Sequence, residues 1–175
     1  MTLRIIITGG TFDKRYDVIR GQLTFKDTHL PDIIEQVRCS LPIALELNQM
    51  VDSLDMQDAN RQRVLSACCE ASEKLIVITH GTDTMAETAA VLGQAFDANE
   101  MALAGKHIIL TGAMVPYSVS GSDALFNLGS AIMAAQLVQP GVYIAMNGRC
   151  YPWASVRKNR ALGVFEGEPL SPPQI

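Results

Sequence analysis

The sequence predicts an α/β fold, a single domain of three layers, α/β/α, around a mostly parallel sheet. Three observations carry this prediction. Four short apolar runs are rich in β-branched residues and lack strict alternation, as strands covered on both faces do. Longer stretches with helical spacing separate these runs. Three of the runs end in the same threonine and glycine composition.

Each element follows from its residues in turn. Leu3 to Ile7 reads as the first strand and runs into Thr8-Gly9-Gly10-Thr11. Phe12 to His29 then carries mixed charge and no helical period. Within it, Arg15 to Phe25 predicts a small hairpin turning at Gly21. Ordered loops of this length are uncommon unless they cover a site, so residues 12–29 are either a surface hairpin or a lid. Leu30 to Arg38 predicts a short helix, and Ile43 to Leu47 is the candidate for a fifth strand. Gln57 to Glu73 places Val64, Leu65, Cys68 and Ala71 on one helical stripe. The strand Leu75 to Ile78, the helix Glu87 to Phe96 and the strand His107 to Leu110 come next, followed by the helix Asp123 to Val138 and the strand Val142 to Met146. Thr84-Met85-Ala86-Glu87 has the pattern of a capping box, and Ser120-Gly121-Ser122-Asp123 repeats it before the next helix. Residues 1–165 form the predicted domain. Residues 166–175 hold three prolines and read as an extended tail.

Composition narrows the function. A chain of 175 residues fits one domain, and 48% hydrophobic with 18% charged residues excludes general disorder. The net charge of −4 has the wrong sign for a binder of nucleic acid or of an anionic membrane. The apolar runs are far shorter than the ~20 residues of a spanning helix, and Leu3 to Ile7 is too short for a signal core. Cys39, Cys68, Cys69 and Cys150 suggest reduced thiols rather than a disulfide framework. His29, His80 and His107 have no ligand-like spacing, so no structural zinc is predicted. These features fit a cytoplasmic protein.

In an open parallel sheet, ligands bind beyond the carboxyl ends of the strands. Here those ends read Thr8-Gly9-Gly10-Thr11, Thr79-His80-Gly81-Thr82-Asp83-Thr84 and Thr111-Gly112-Ala113-Met114. Glycine lets backbone approach a ligand, and threonine offers a hydroxyl. Neither GxGxxG nor GxxxxGK[ST] is present, and Asp13 beside Lys14 weakens a phosphate reading. A threonine hydroxyl attacks only when a base takes its proton, and a neutral lysine can be that base. Spacing selects no single lysine. The residues alone define a hydroxyl-rich crevice with one acidic group, Asp83.

Ile7-Thr8-Gly9-Gly10-Thr11 and Ile78-Thr79-His80-Gly81-Thr82-Asp83-Thr84-Met85 resemble the two signatures of the bacterial-type L-asparaginase family. The likeness continues through Leu110 to Pro116 and from Ser122-Asp123 to Phe126-Asn127-Leu128, covering the family's N-terminal domain. The resemblance implies that Thr11 is the nucleophile and that Thr82, Asp83 and Lys158 form a Thr-Asp-Lys triad. It implies Ser53 as holder of the substrate α-carboxylate and Asp83 as partner of the α-ammonium, with Thr82 and Gly10 lining the substrate site. Tyr16 is the candidate for the lid tyrosine. The implied reaction hydrolyses L-asparagine to L-aspartate and ammonia through a covalent acyl-enzyme, with no metal or organic cofactor. A small-molecule substrate, no nucleic-acid or membrane partner and a homodimer or higher homo-oligomer are expected. The sequence departs from the family at Leu54, where a glutamine is usual, and the resemblance, which covers the N-terminal domain alone, leads to the expectation of a protein without the family's smaller C-terminal domain. That departure motivates a second reading, a non-catalytic amino-acid-binding or regulatory module; a third, an ammonia-supplying component of an amidotransferase, follows from the use of asparaginase-like domains in such enzymes.

Overall fold

Alternate residues of each central strand feed opposite cores, which is how a parallel sheet comes to carry helices on both faces. In the computed structural model, which describes residues 1–171, six strands form the main sheet. They are β1 (Leu3–Gly9), β4 (Ile43–Val51), β5 (Leu75–Thr79), β6 (His107–Thr111), β7 (Gly141–Met146) and β8 (Arg149–Pro152). Their order is β4-β1-β5-β6-β7-β8; the first five are parallel, and β8 returns antiparallel to β7. Every strand expected from the apolar runs is present, including the fifth.

Four helices cover the sheet: α1 (Leu30–Gln36), α2 (Asp58–Glu70), α3 (Met85–Asp97) and α4 (Ala124–Leu137). On one face Ile6, Ile78 and Ile108 pack with Val64 and Cys68 of α2 and with Met85, Ala89 and Leu92 of α3. On the other, Ile5, Val77 and Ile109 meet Leu30 and Ile33 of α1 and Leu128 and Ala131 of α4. Each fully buried aliphatic side chain contributes about 1.5–3 kcal/mol by leaving water. The cysteines are free among the described residues, and burial pushes the Cys68 thiol up to about 12, so it packs as a small hydrophobe.

Two short antiparallel ribbons stand outside the main sheet. The first pairs β2 (Arg15–Asp17) with β3 (Gln22–Thr24) and is the hairpin expected in residues 12–29. Its turn uses Gly21 at φ +66°, a conformation glycine adopts without strain. The second pairs β9 (Val156–Asn159) with β10 (Val164–Gly167). The expected tail therefore starts too early, because Glu166 and Gly167 belong to β10. Beyond them, the Glu168 and Leu170 backbones still donate to Ser155 and Cys150 carbonyls. The rest of that stretch, residues 172–175, lies outside the described residues.

Both expected capping boxes are corrected. Thr84 precedes α3 without capping it, and its hydroxyl donates instead to the Ser53 carbonyl at 2.8 Å. Glu87 reaches across to Arg61 of α2. Before α4, the Asp123 carboxylate turns back to accept from the Met114 and Val115 backbone amides. A longer-range partner wins in each case. The capping box that does form, between Gln57 and Asn60 at the start of α2, has neither serine nor threonine at its head.

Candidate active site

Strand order reverses direction beside β1: the chain adds β4 on one side and β5 on the other. Loops leaving the ends of β1 and β5 therefore diverge to opposite faces and open a crevice between them. At its floor the two loops touch. A Cβ on Gly10 would stand 2.3 Å from the Gly81 backbone nitrogen, and one on Gly81 would stand 2.5 Å from Ser53 Oγ. Only glycines allow that approach. Thr11 and Thr82 are the next residues after this contact, one in each loop.

Lys158 reaches the same place from β9. Its Nζ donates to Thr82 Oγ1 at 2.7 Å and to Asp83 Oδ1 at 2.8 Å. Its side chain is only 13% exposed, so the ion pair is sheltered from screening solvent. Ser53 follows β4 and is buried; its Oγ accepts from the Asp83 backbone N–H at 3.3 Å. Thr11 begins a single 3-10 turn, half-buried, and among the described residues no side chain hydrogen-bonds to its hydroxyl. Gly10, Thr11, Ser53, Thr82, Asp83 and Lys158 are thus gathered from four parts of the chain.

Tyr16 is not drawn in. It lies on β2 with 62% of its surface exposed, and its hydroxyl points back toward the hairpin's own turn at Gly21. The base of that hairpin is nonetheless tied to the crevice wall, because Lys14 pairs with Asp52, next to Ser53. Several strand-end threonines also face away from the crevice. Thr8 Oγ1 donates to the Thr79 carbonyl at 2.8 Å and Thr111 Oγ1 to the Ala145 carbonyl at 2.9 Å, so both knit neighbouring strands together.

Two contributors escape a reading of sequence alone. His80 is fully buried behind the loop that carries Thr82. Its Nδ1–H donates to the Gly81 carbonyl at 2.7 Å, and its Nε2 accepts from Thr88 of α3 at 2.8 Å. Burial holds its pKa down at about 4, so the imidazole stays neutral and keeps this tautomer. The one available signal was a histidine set between a strand-end threonine and a glycine. Asn127 of α4 is likewise fully buried; it donates to the Gly112 carbonyl at 3.0 Å and accepts from the Asn147 amide. It locks two further strand-end loops. Among the described residues, no group of His, Cys, Asp and Glu side chains is arranged to hold a metal ion.

A crevice of this kind, with a free threonine, a Thr-Lys-Asp cluster and glycine-lined walls, is suited to acyl transfer. Residues 2–166 match the family described as "Asparaginase, N-terminal", and the chain belongs to that family. It is 35% identical over 100 residues to the L-asparaginase of Thermococcus kodakarensis, covering 57% of this chain and 29% of that protein. It is also 35% identical over 152 residues to one component of the glutamyl-tRNA(Gln) amidotransferase of Methanococcus vannielii, covering 83% of this chain and 34% of that one. The solved structure of the thermostable L-asparaginase from T. kodakarensis superposes with a TM-score of 0.80 at 27% identity, covering 95% of this chain and 51% of its own. The crystal structure titled "Probable Cytoplasmic L-asparaginase from Campylobacter jejuni" superposes with a TM-score of 0.74 at 26% identity, over 95% of this chain and 51% of that one. The chain thus spans between about a third and a half of the length of these relatives. Among the described residues, no helix is long and apolar enough to cross a membrane.

Proposed function

We propose that the chain hydrolyses the side-chain amide of L-asparagine, with Thr11 as nucleophile and the Lys158–Thr82–Asp83 cluster as its proton-handling partner. The observation that carries this reading is Lys158 Nζ on Thr82 Oγ1 at 2.7 Å, at the crevice floor where the Gly10 and Gly81 loops touch. Thr11 Oγ1 attacks the amide carbon. Its proton passes by way of Thr82 to the lysine in its amine form and is then given to the departing ammonia. The acyl-threonine ester is cleaved by water, which restores the Thr11 hydroxyl and frees L-aspartate. Backbone N–H groups in the Thr82 loop are the candidates to stabilise the oxyanion. Asp83 receives the substrate's α-ammonium, and Ser53 receives part of its carboxylate.

Ammonia release from L-asparagine by the purified protein tests this reading, with Thr11→Val and Lys158→Met as controls. Release that both substitutions abolish is expected. No release, or release that neither changes, overturns it. A second reading is favoured by the likeness to the amidotransferase component of M. vannielii, namely that the ammonia is handed to a partner protein. Stable co-purification with a second protein, and release that depends on that protein, distinguish it.

A further inference from the structure

The Asp83 carboxylate faces two basic side chains. Besides Lys158 at 2.8 Å, Arg160 brings its Nε to 3.8 Å from the same Oδ1. Arg160 is the first residue of the turn that follows β9, and its approach to Asp83 sets it on the same side as Lys158. The alternate positions turn the other way: Arg157 and Asn159 both reach Glu166 of β10. At 3.8 Å the Arg160 contact is too long for a hydrogen bond. Among the described residues it is this guanidinium's one ion-pair partner, and the side chain is 66% exposed. Its forked N–H donors thus stand at the crevice mouth.

The turn that presents Arg160 is built rather than loose. Asn159 Oδ1 accepts from the Ala161 and Leu162 amides, and Asn159 Nδ2 donates to Glu166 Oε1 at 2.8 Å. The Gly163 amide closes the turn onto the Asn159 carbonyl at 2.9 Å.

Charge and geometry then have a common reading. Arg160 brings a permanent positive charge to Asp83 whatever proton Lys158 carries, while the Leu54 side chain beside Ser53 is exposed and has no polar atom to offer. An α-amino acid carries an ammonium and a carboxylate on the same carbon. Asp83 and Arg160 set an acceptor and a forked donor within 4 Å of one another, which matches that head group. We propose that Arg160 determines specificity by receiving the free α-carboxylate of the substrate whose ammonium sits on Asp83. The assignment rests on the amide-hydrolysis reading above.

The experiment compares L-asparagine with L-asparaginamide, which has the same side chain but no α-carboxylate. Arg160→Gln is expected to raise KM for L-asparagine roughly tenfold, as loss of a charge-assisted hydrogen bond does, with little change for the diamide. Arg160→Lys recovers part of the loss. An equal rise on both substrates, or none on either, overturns the assignment. If the unaltered protein releases no ammonia, the hydrolysis reading fails separately. Calorimetric binding of L-aspartate then decides Arg160: roughly tenfold weaker binding in Arg160→Gln supports it, and equal or absent binding in both proteins rejects it.

Discussion

Lys158 Nζ lies 2.7 Å from Thr82 Oγ1, although the two residues are 76 positions apart in the chain. The hydroxyl stands on a loop of the main sheet and the amine on a separate ribbon, so the contact exists only when the two pack together. General acid–base groups contribute about 10²–10⁴-fold to a rate. Lys158→Met is expected to reduce ammonia release from L-asparagine by that order, while far-ultraviolet circular dichroism stays that of the unaltered protein.

Thr11 makes no side-chain hydrogen bond among the described residues, so its removal disturbs little structure. Thr11→Val should unfold within about 0.5 kcal/mol of the unaltered protein in urea and release no ammonia. Thr11→Ser, which keeps a hydroxyl, should retain measurable turnover.

Contact between Gly10 and Gly81 leaves no room for a methyl group. A Cβ at Gly10 would meet Gly81 N at 2.3 Å and Cα at 2.4 Å, both backbone atoms that cannot swing aside, and Gly10 sits at φ +77°. Gly10→Ala is expected to cost about 2 kcal/mol or more and to abolish turnover by parting the two loops. Denaturant titration and the ammonia assay read both effects.

His80 couples acid to stability. Its ordinary value is 6.5, and burial lowers it to about 4 in the folded protein. Between those values the unfolded chain takes up a proton that the folded chain refuses. Stability therefore falls as pH drops through this window and levels off below it. At pH 4.5 the loss from this one group is about 2–3 kcal/mol relative to pH 7. His80→Gln should be less stable at pH 7 yet lose less on acidification. Urea titrations of both proteins at the two pH values check it; parallel losses would exclude His80 as the source.

The strands that carry the site were legible because both of their faces are buried. Leu75 to Ile78 reads as a continuous apolar run for that reason, and α2 to α4 follow from their spacing. The β9–β10 ribbon was not legible. Val156-Arg157-Lys158-Asn159 is four residues long and half charged, and its pairing with Val164 to Gly167 leaves no period in the sequence. Lys158 was thus found by resemblance, and Arg160 beside it went unread. Thr84 misled for the opposite reason: a strong local motif gave way to Ser53, which lies 31 positions away. Local patterns report local partners, and this crevice is made almost entirely of distant ones.

Gly167 gives the ribbon a lock. Any side chain there would drive a carbon to 1.8 Å from the Ser155 carbonyl oxygen, so Gly167 is held opposite Val156 and Lys158 opposite Phe165. Sliding the pairing by one residue would invert the strand, swing the Lys158 side chain away from Asp83 and pull Phe165 out of the core it shares with the main sheet. One achiral residue at the ribbon's edge thereby acts as an alignment pin.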